Sequence, residues 1–255
     1  MEGSRGNSER ETPEVKPLIL SRQTVLTIVA IAIVLWSSAF FLWMQVELDK
    51  GLLISHNGLR TNELVVGAAK VASKYGMAII VLVYLIYLLF AFKYEKLRDV
   101  YRIYLMVFFM FGVAGIGGDI LKEVFNRPRP FDEYAGEITA FSDGETPAFP
   151  SGHATKSVAL ALPFLLLVAS KDNWHKGLKI LIAILALAVC YSRVVLGAHY
   201  VSDVLAGIGM ALICFPLVAL LNNKMLSRMT QERLNFAIKI WGVILLALMI
   251  FLIVN

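Results

Sequence analysis

Apolar residues in this chain gather into seven long blocks separated by short polar stretches. Each block runs to about 18–22 residues, which as a helix crosses a ~30 Å hydrocarbon core. The pattern predicts helices at 24–46, 75–92, 101–121, 154–170, 178–196, 203–221 and 236–254. A soluble chain would show shorter periodic segments, each with a polar face. Between the first two blocks, residues 50–74 scatter apolar positions among Arg60, Glu63, Lys70 and Lys74. That segment reads as an amphipathic interfacial helix, or else as an extension of the second span. Residues 1–17 are polar, contain Pro13 and Pro17, and read as a flexible tail. The block from Thr24 is too long for a signal-peptide core and is expected to be a retained first span. Trp43, Trp174 and Trp241 fall near span ends, where indole rings favour the membrane interface.

Composition supports a membrane solvent. Of the 255 residues, 58% are apolar and 17% charged, whereas soluble domains are nearer one quarter charged. The net charge of +5 does not point to nucleic acid, because the Lys and Arg lie mainly between apolar blocks. With the N-terminus in the cytoplasm, the larger share of the 24 Lys and Arg falls on the inner side, as the positive-inside rule favours. Cys190 and Cys214 sit inside apolar blocks and have neither metal-ligand nor disulfide spacing.

Three polar segments fall where spans reach the same, outer, face. They are Lys122–Pro130, Pro150–His153 and Ser192–Asp203. Lys122, Arg129 and Arg193 suit a shared anion, since the guanidinium fork matches phosphate and Lys adds a point charge. Ser151 and Gly152 precede a helix whose first N–H groups form a natural phosphate cradle. His199 and Asp203 are spaced i, i+4, on one face if that stretch is helical. The carboxylate would hold one imidazole nitrogen protonated and turn the other toward phosphorus. His153, at the mouth of the next helix, is placed to protonate a leaving oxygen. His153, His199 and Asp203 are also metal-ligand types, but three neighbouring cations would repel a divalent ion. His56 and His175 have no such company and are assigned no role.

These segments spell Lys-x6-Arg-Pro, Pro-Ser-Gly-His and Ser-Arg-x5-His-x3-Asp. In order and spacing they resemble the three signature motifs of the type 2 phosphatidic acid phosphatase superfamily. The resemblance covers about residues 100–221. It implies an all-α transmembrane bundle with a six-helix core, the site at its outer surface, and hydrolysis without a metal or other cofactor. It implies that His199 is the nucleophile, Asp203 its orienting partner and His153 the general acid. It assigns phosphate binding to Lys122, Arg129, Ser151, Gly152 and Arg193.

The block 236–254 exceeds the family's usual six spans and would leave Asn255 outside. The expected organisation is therefore a tail at 1–17, a phosphatase domain at 18–225 and an added C-terminal helix at 226–255. Asp132, Glu133, Glu137, Asp143 and Glu145 read as a solvated loop, or as a guard at the substrate entrance. The expected substrate is a lipid phosphate: undecaprenyl diphosphate, favoured by analogy if the source is bacterial, phosphatidylglycerol phosphate or phosphatidic acid. A lipid A phosphatase or phosphotransferase is the alternative within the enzyme class, and a non-catalytic lipid-phosphate binder the alternative outside it. Membrane lipids are the expected surroundings and nucleic acid is not an expected partner. If the source is bacterial, the site would face the periplasmic or outer side of the inner membrane. The sequence is silent on oligomeric state.

Overall fold

The computed structural model describes residues 15, 17–94, 101–141, 146–170 and 172–254. The tail apart from Val15 and Pro17, together with Lys96, Arg98, Asp143, Glu145, Lys171 and Asn255, lies outside the described residues. The chain is all-α. Its helices are α1 Arg22–Met44, α2 Val46–Asn57, α3 Glu63–Lys93, α4 Tyr101–Phe125, α5 Pro130–Glu133, α6 Gly152–Leu167, α7 Asn173–Val195, α8 Val201–Leu226 and α9 Gln231–Val254.

Local chemistry sets the helix starts. Ser21 caps α1 by accepting from the Thr24 amide at 3.0 Å. The Asn62 side chain caps α3, accepting from Leu64 and Val65 at 3.0 and 3.3 Å. Asp172 caps α7 through the His175 amide at 2.9 Å. Each side chain satisfies a first-turn N–H that has no intrahelical partner. Pro130, at the first turn of α5, has no N–H to leave orphaned.

Among the described residues, α1, α3, α4 with the segment after it, α7, α8 and α9 are long and apolar enough to cross a membrane. Their outward faces carry large apolar side chains such as Leu89, Leu220 and Val243, each about two-thirds exposed. In water that would be a liability; in lipid it is the required surface. The protein is a multi-pass integral membrane protein.

Several boundaries depart from the sequence expectation. Residues 50–74 are not one interfacial helix. They divide between α2, a short 3-10 turn at Gly58–Thr61, and the beginning of α3. The Asn62 cap starts the second span well before the apolar block. The predicted span at 154–170 is α6, only 16 residues long, or about 24 Å. It is a central helix, packed against α3, α4, α7 and α8, and its Leu160 and Phe164 are fully buried. Trp241 is not at a span end. It lies about three turns into α9, its ring centroid 4.1 Å from that of Phe108 on α4. α9 packs on α3 and α4. The end of the tail is anchored too. Val15 and Leu18 are buried, and Leu18 exchanges backbone hydrogen bonds with the Asn223 side chain at 2.8 and 2.7 Å.

Small residues let the central helices approach. A Cβ on Gly207 of α8 would stand 2.6 Å from the Ser151 carbonyl oxygen and 3.0 Å from Ala154 Cβ at the start of α6. Gly209 plays the same part toward Trp36 of α1, where a Cβ would meet the indole at 2.6 Å. Such close backbone contact is how membrane helices pack without a hydrophobic driving force between them. The Gly207→Ala variant is expected to push α8 off the Pro150–His153 turn, lowering stability by about 1–3 kcal/mol. Thermal unfolding of purified protein in detergent checks this, and an unchanged midpoint would refute it.

Candidate active site

The three motif segments meet at one end of the bundle. Lys122 lies in the last turn of α4. Asn126 then takes a positive φ of 40°, a conformation Asn tolerates better than most residues. The chain turns there and carries Arg127 and Arg129 back over the helix ends. Pro150 follows a cis peptide bond, and Ser151 and Gly152 open α6. Between α7 and α8, Gly197 adopts φ 68°, and a Cβ there would meet the Thr139 carbonyl at 2.8 Å. That turn folds Ala198 and His199 back so that both amides donate to the Arg193 carbonyl, at 3.0 and 3.2 Å.

Lys122, Arg129, Arg193 and His199 are all buried. Lys122 feels the charges of both Arg129 and Arg193, and Arg193 that of Arg129. Neutral oxygens hold the cluster together. Thr146 Oγ1 accepts from Lys122 Nζ and from Arg129 Nη2, both at 3.1 Å. The Thr146 carbonyl accepts from Arg129 Nε at 2.7 Å, and Arg193 Nη1 donates to Ser73 Oγ of α3 at 2.5 Å. Lys122 Nζ also hangs over Gly152, 3.5 Å from where a Cβ would stand. Such an array of buried donors is suited to a compact anion.

His199 sits in the turn before α8, not on its face, because the helix begins at Val201. The i, i+4 spacing still brings its Nδ1 to 3.4 Å from Asp203 Oδ2, although Nδ1 has no aligned hydrogen-bond partner. Catalytic hydrogen bonds are often long until a ligand is bound. Burial, with the charges of Arg193, Arg129 and Lys122, holds the His199 imidazole well below the usual histidine pKa range. His153, in the first turn of α6, shares this electrostatic neighbourhood with Arg193, His199, Lys156 and Lys122. The Ser151 amide donates to the Asp203 carbonyl at 2.9 Å. That leaves Ser151 Oγ, buried and without a hydrogen-bond partner, as the group this serine can offer.

Arg127, Asp49, Ser202, Tyr200 and Thr146 were not singled out by sequence reasoning. Arg127 Nη1 donates to Asp203 Oδ1 at 2.7 Å and to Ser202 Oγ at 2.6 Å, and Nη2 donates to Asp49 Oδ2 at 3.0 Å. Its guanidinium lies 3.8 Å over the Tyr200 ring. The Tyr200 hydroxyl in turn donates to Glu133 Oε2 at 2.6 Å, and Lys50 pairs with Glu137 at 2.9 Å. Two of the acidic loop residues are therefore partnered and not simply solvated. Arg127 had a signal available, an Arg between two motif positions. Asp49 had none, since it lies 73 residues before Lys122 with no motif around it. His56 and His175 are engaged elsewhere, His56 with the Leu52 carbonyl at 2.7 Å and His175 with Tyr87 at 3.0 Å and Asp172 at 2.6 Å.

The bundle resembles the crystal structure of a transmembrane PAP2-type phosphatidylglycerolphosphate phosphatase from Bacillus subtilis. The TM-score is 0.55 at 21% identity, over 78% of this chain and 96% of that one. The fold is thus that of a PAP2 transmembrane protein. Residues 103–227 match the PAP2 superfamily, and the chain belongs to that superfamily. Phosphatidylglycerophosphatase B of Bacillus subtilis is 34% identical over 39% of this chain and 48% of its own length. Sphingosine-1-phosphate phosphatase 1 of Rattus norvegicus is 32% identical over 42% of this chain and 26% of its own length. The matches thus span half or less of these curated relatives.

The His199 environment has a consequence for stability. An unfolded His199 takes up a proton as pH falls below about 6.5, while the folded imidazole stays neutral until lower pH. Stability is therefore lost as pH falls through that window. The melting temperature in detergent is expected to drop further between about pH 7.5 and pH 5.5 for the native protein than for His199→Asn. Equal drops would show that the folded imidazole titrates normally.

Proposed function

We propose that this protein is a membrane phosphatase that removes phosphate from a lipid headgroup through a phosphohistidine on His199. The observation that carries this reading is the convergence of Lys122, Arg129 and Arg193 with His199 and Asp203 at one end of a lipid-facing bundle. The site holds the donors a phosphoryl group needs, and catalysis of its transfer is mostly positioning and charge stabilisation.

In the first step, His199 Nε2 attacks phosphorus. The P–N bond forms as the P–O bond to the lipid breaks, and the proton on His153 passes to the departing lipid oxygen. As substrate binds, Asp203 closes the 3.4 Å gap and takes the hydrogen bond from Nδ1–H, so that the lone pair is on Nε2 and the charge developing on the ring is balanced. Lys122, Arg129 and Arg193 bind the equatorial oxygens, with Ser151 Oγ and the Gly152 amide beside them. In the second step, water attacks phosphorus, His153 takes its proton, and the P–N bond breaks to release inorganic phosphate.

The substrate is a lipid whose phosphate sits at the interface. Of the three candidates, phosphatidylglycerol phosphate ranks first, because a relative named for that substrate aligns at 34% identity. Undecaprenyl diphosphate and phosphatidic acid follow. The positive-inside count supports an outward-facing site and an N-terminus on the cytoplasmic side.

Phosphate release by purified protein in detergent with EDTA, from each of the three lipids, tests this reading. Native protein is expected to turn over at least one of them, and His199→Ala to lose about a thousandfold or more of that rate. Activity abolished by EDTA and restored by a divalent ion would overturn the metal-independent route. No release from any of the three would overturn hydrolysis of these lipids and favour a lipid A phosphatase or phosphotransferase. Arg193→Lys keeps the charge but loses the fork, and is expected to reduce kcat/KM by about tenfold or more. Near-native turnover would remove Arg193 from the phosphate site.

A further inference from the structure

We infer that Asp49, on α2, is a positioning residue for the reaction, acting on Asp203 through Arg127. This rests on the phosphatase reading above and extends the working site to a helix that precedes the family-matching segment. Asp49 is fully buried, as are Ser202 and Asp203, and Arg127 is 6% exposed. Buried charges at such sites stay ionised only when paired and hydrogen-bonded. Arg127 is shared: one arm goes to Asp203 Oδ1 at 2.7 Å and the other to Asp49 Oδ2 at 3.0 Å. Ser202 closes the ring. Its hydroxyl accepts from Arg127 Nη1 at 2.6 Å and donates to Asp49 Oδ2, and its amide donates to Asp49 Oδ1 at 3.2 Å.

The ring decides which way Asp203 faces. Its Oδ1 is pinned by Arg127, and its Oδ2 accepts from the Tyr200 amide at 2.9 Å while facing His199 Nδ1 at 3.4 Å. Asp203 must also stay basic enough to hold the proton on Nδ1 and to balance the charge His199 gains. A guanidinium given wholly to Asp203 would draw on that charge and weaken its hold on the imidazole. Asp49 takes half of the guanidinium and leaves Asp203 the stronger acceptor. Asp49 also ties α2 to the first turn of α8, so the N-terminal part of the chain sets the register of the nucleophile's partner.

Asp49→Asn keeps the shape and the acceptor for the Ser202 amide but removes the charge facing Arg127. It is expected to lower kcat about tenfold or more while KM changes less than about twofold, since no phosphate ligand is touched. Arg127→Gln and the Asp49→Asn/Arg127→Gln double variant complete a cycle. If Asp49 works through Arg127, the double variant loses no more than Arg127→Gln alone; losses that multiply would overturn the inference. A folded Asp49→Asn protein with native kcat, or one whose loss lies in KM, would also overturn it. If Asp49→Asn does not fold, Arg127→Lys keeps the charge but loses the fork that reaches both carboxylates. A kcat-only loss there supports the inference, and native kcat refutes it. The phosphatase reading fails separately, if native protein releases no phosphate.

Discussion

Holding three like charges together out of bulk water is the constraint on which this structure turns. Lys122 and Arg129 come from the segment at the end of α4 and Arg193 from the end of α7, and the three lie within each other's fields. Mutual repulsion and lost hydration both oppose this. Neutral oxygens hold the array, from Thr146, Ala198 and Ser73. The surrounding architecture keeps those oxygens in place. Gly207 lets α8 press against the start of α6, Asn126 turns the chain off α4, and Gly197 folds the α7–α8 turn onto Arg193.

Much of this was legible in the sequence, for physical reasons. Long apolar blocks must be helices in lipid, because no other segment can satisfy its own backbone there. The motif residues were legible because charge at a span end is costly and needs a purpose. Less legible was anything set by a polar cap or by tertiary contact. Asn62 begins α3 amid charged residues, and hydropathy does not register a cap. α6 is short and central because its neighbours bury it, which its own apolar run does not reveal. The i, i+4 spacing put His199 and Asp203 on one face only if that stretch is helical, and the pair meets across a helix start. Asp49 looked like one more polar residue beside the first span.

The division of labour along the chain is uneven. The segment that matches the superfamily supplies the charged residues, while α1 and α2 supply packing and one carboxylate. Trp36, Phe40 and Trp43 of α1 surround Phe149, next to Pro150. The N-terminal helices therefore brace the loop that carries the α6 turn. At the other end of the chain, α9 adds apolar cover to α3 and α4 without approaching the charged cluster.

Thr146 sets the terms on which a ligand enters the cluster. Its hydroxyl and carbonyl already occupy donors of Lys122 and Arg129. Lipid phosphate arriving there does not meet bare cations; it exchanges one set of oxygens for another. The free energy of capture is then the difference between two ligations, and the stronger ligand is the one with charge. Neutral headgroups, with oxygens no better than those of a threonine, gain nothing by entering. On the phosphatase reading, Thr146 is then a threshold that favours an anion in a membrane crowded with polar headgroups.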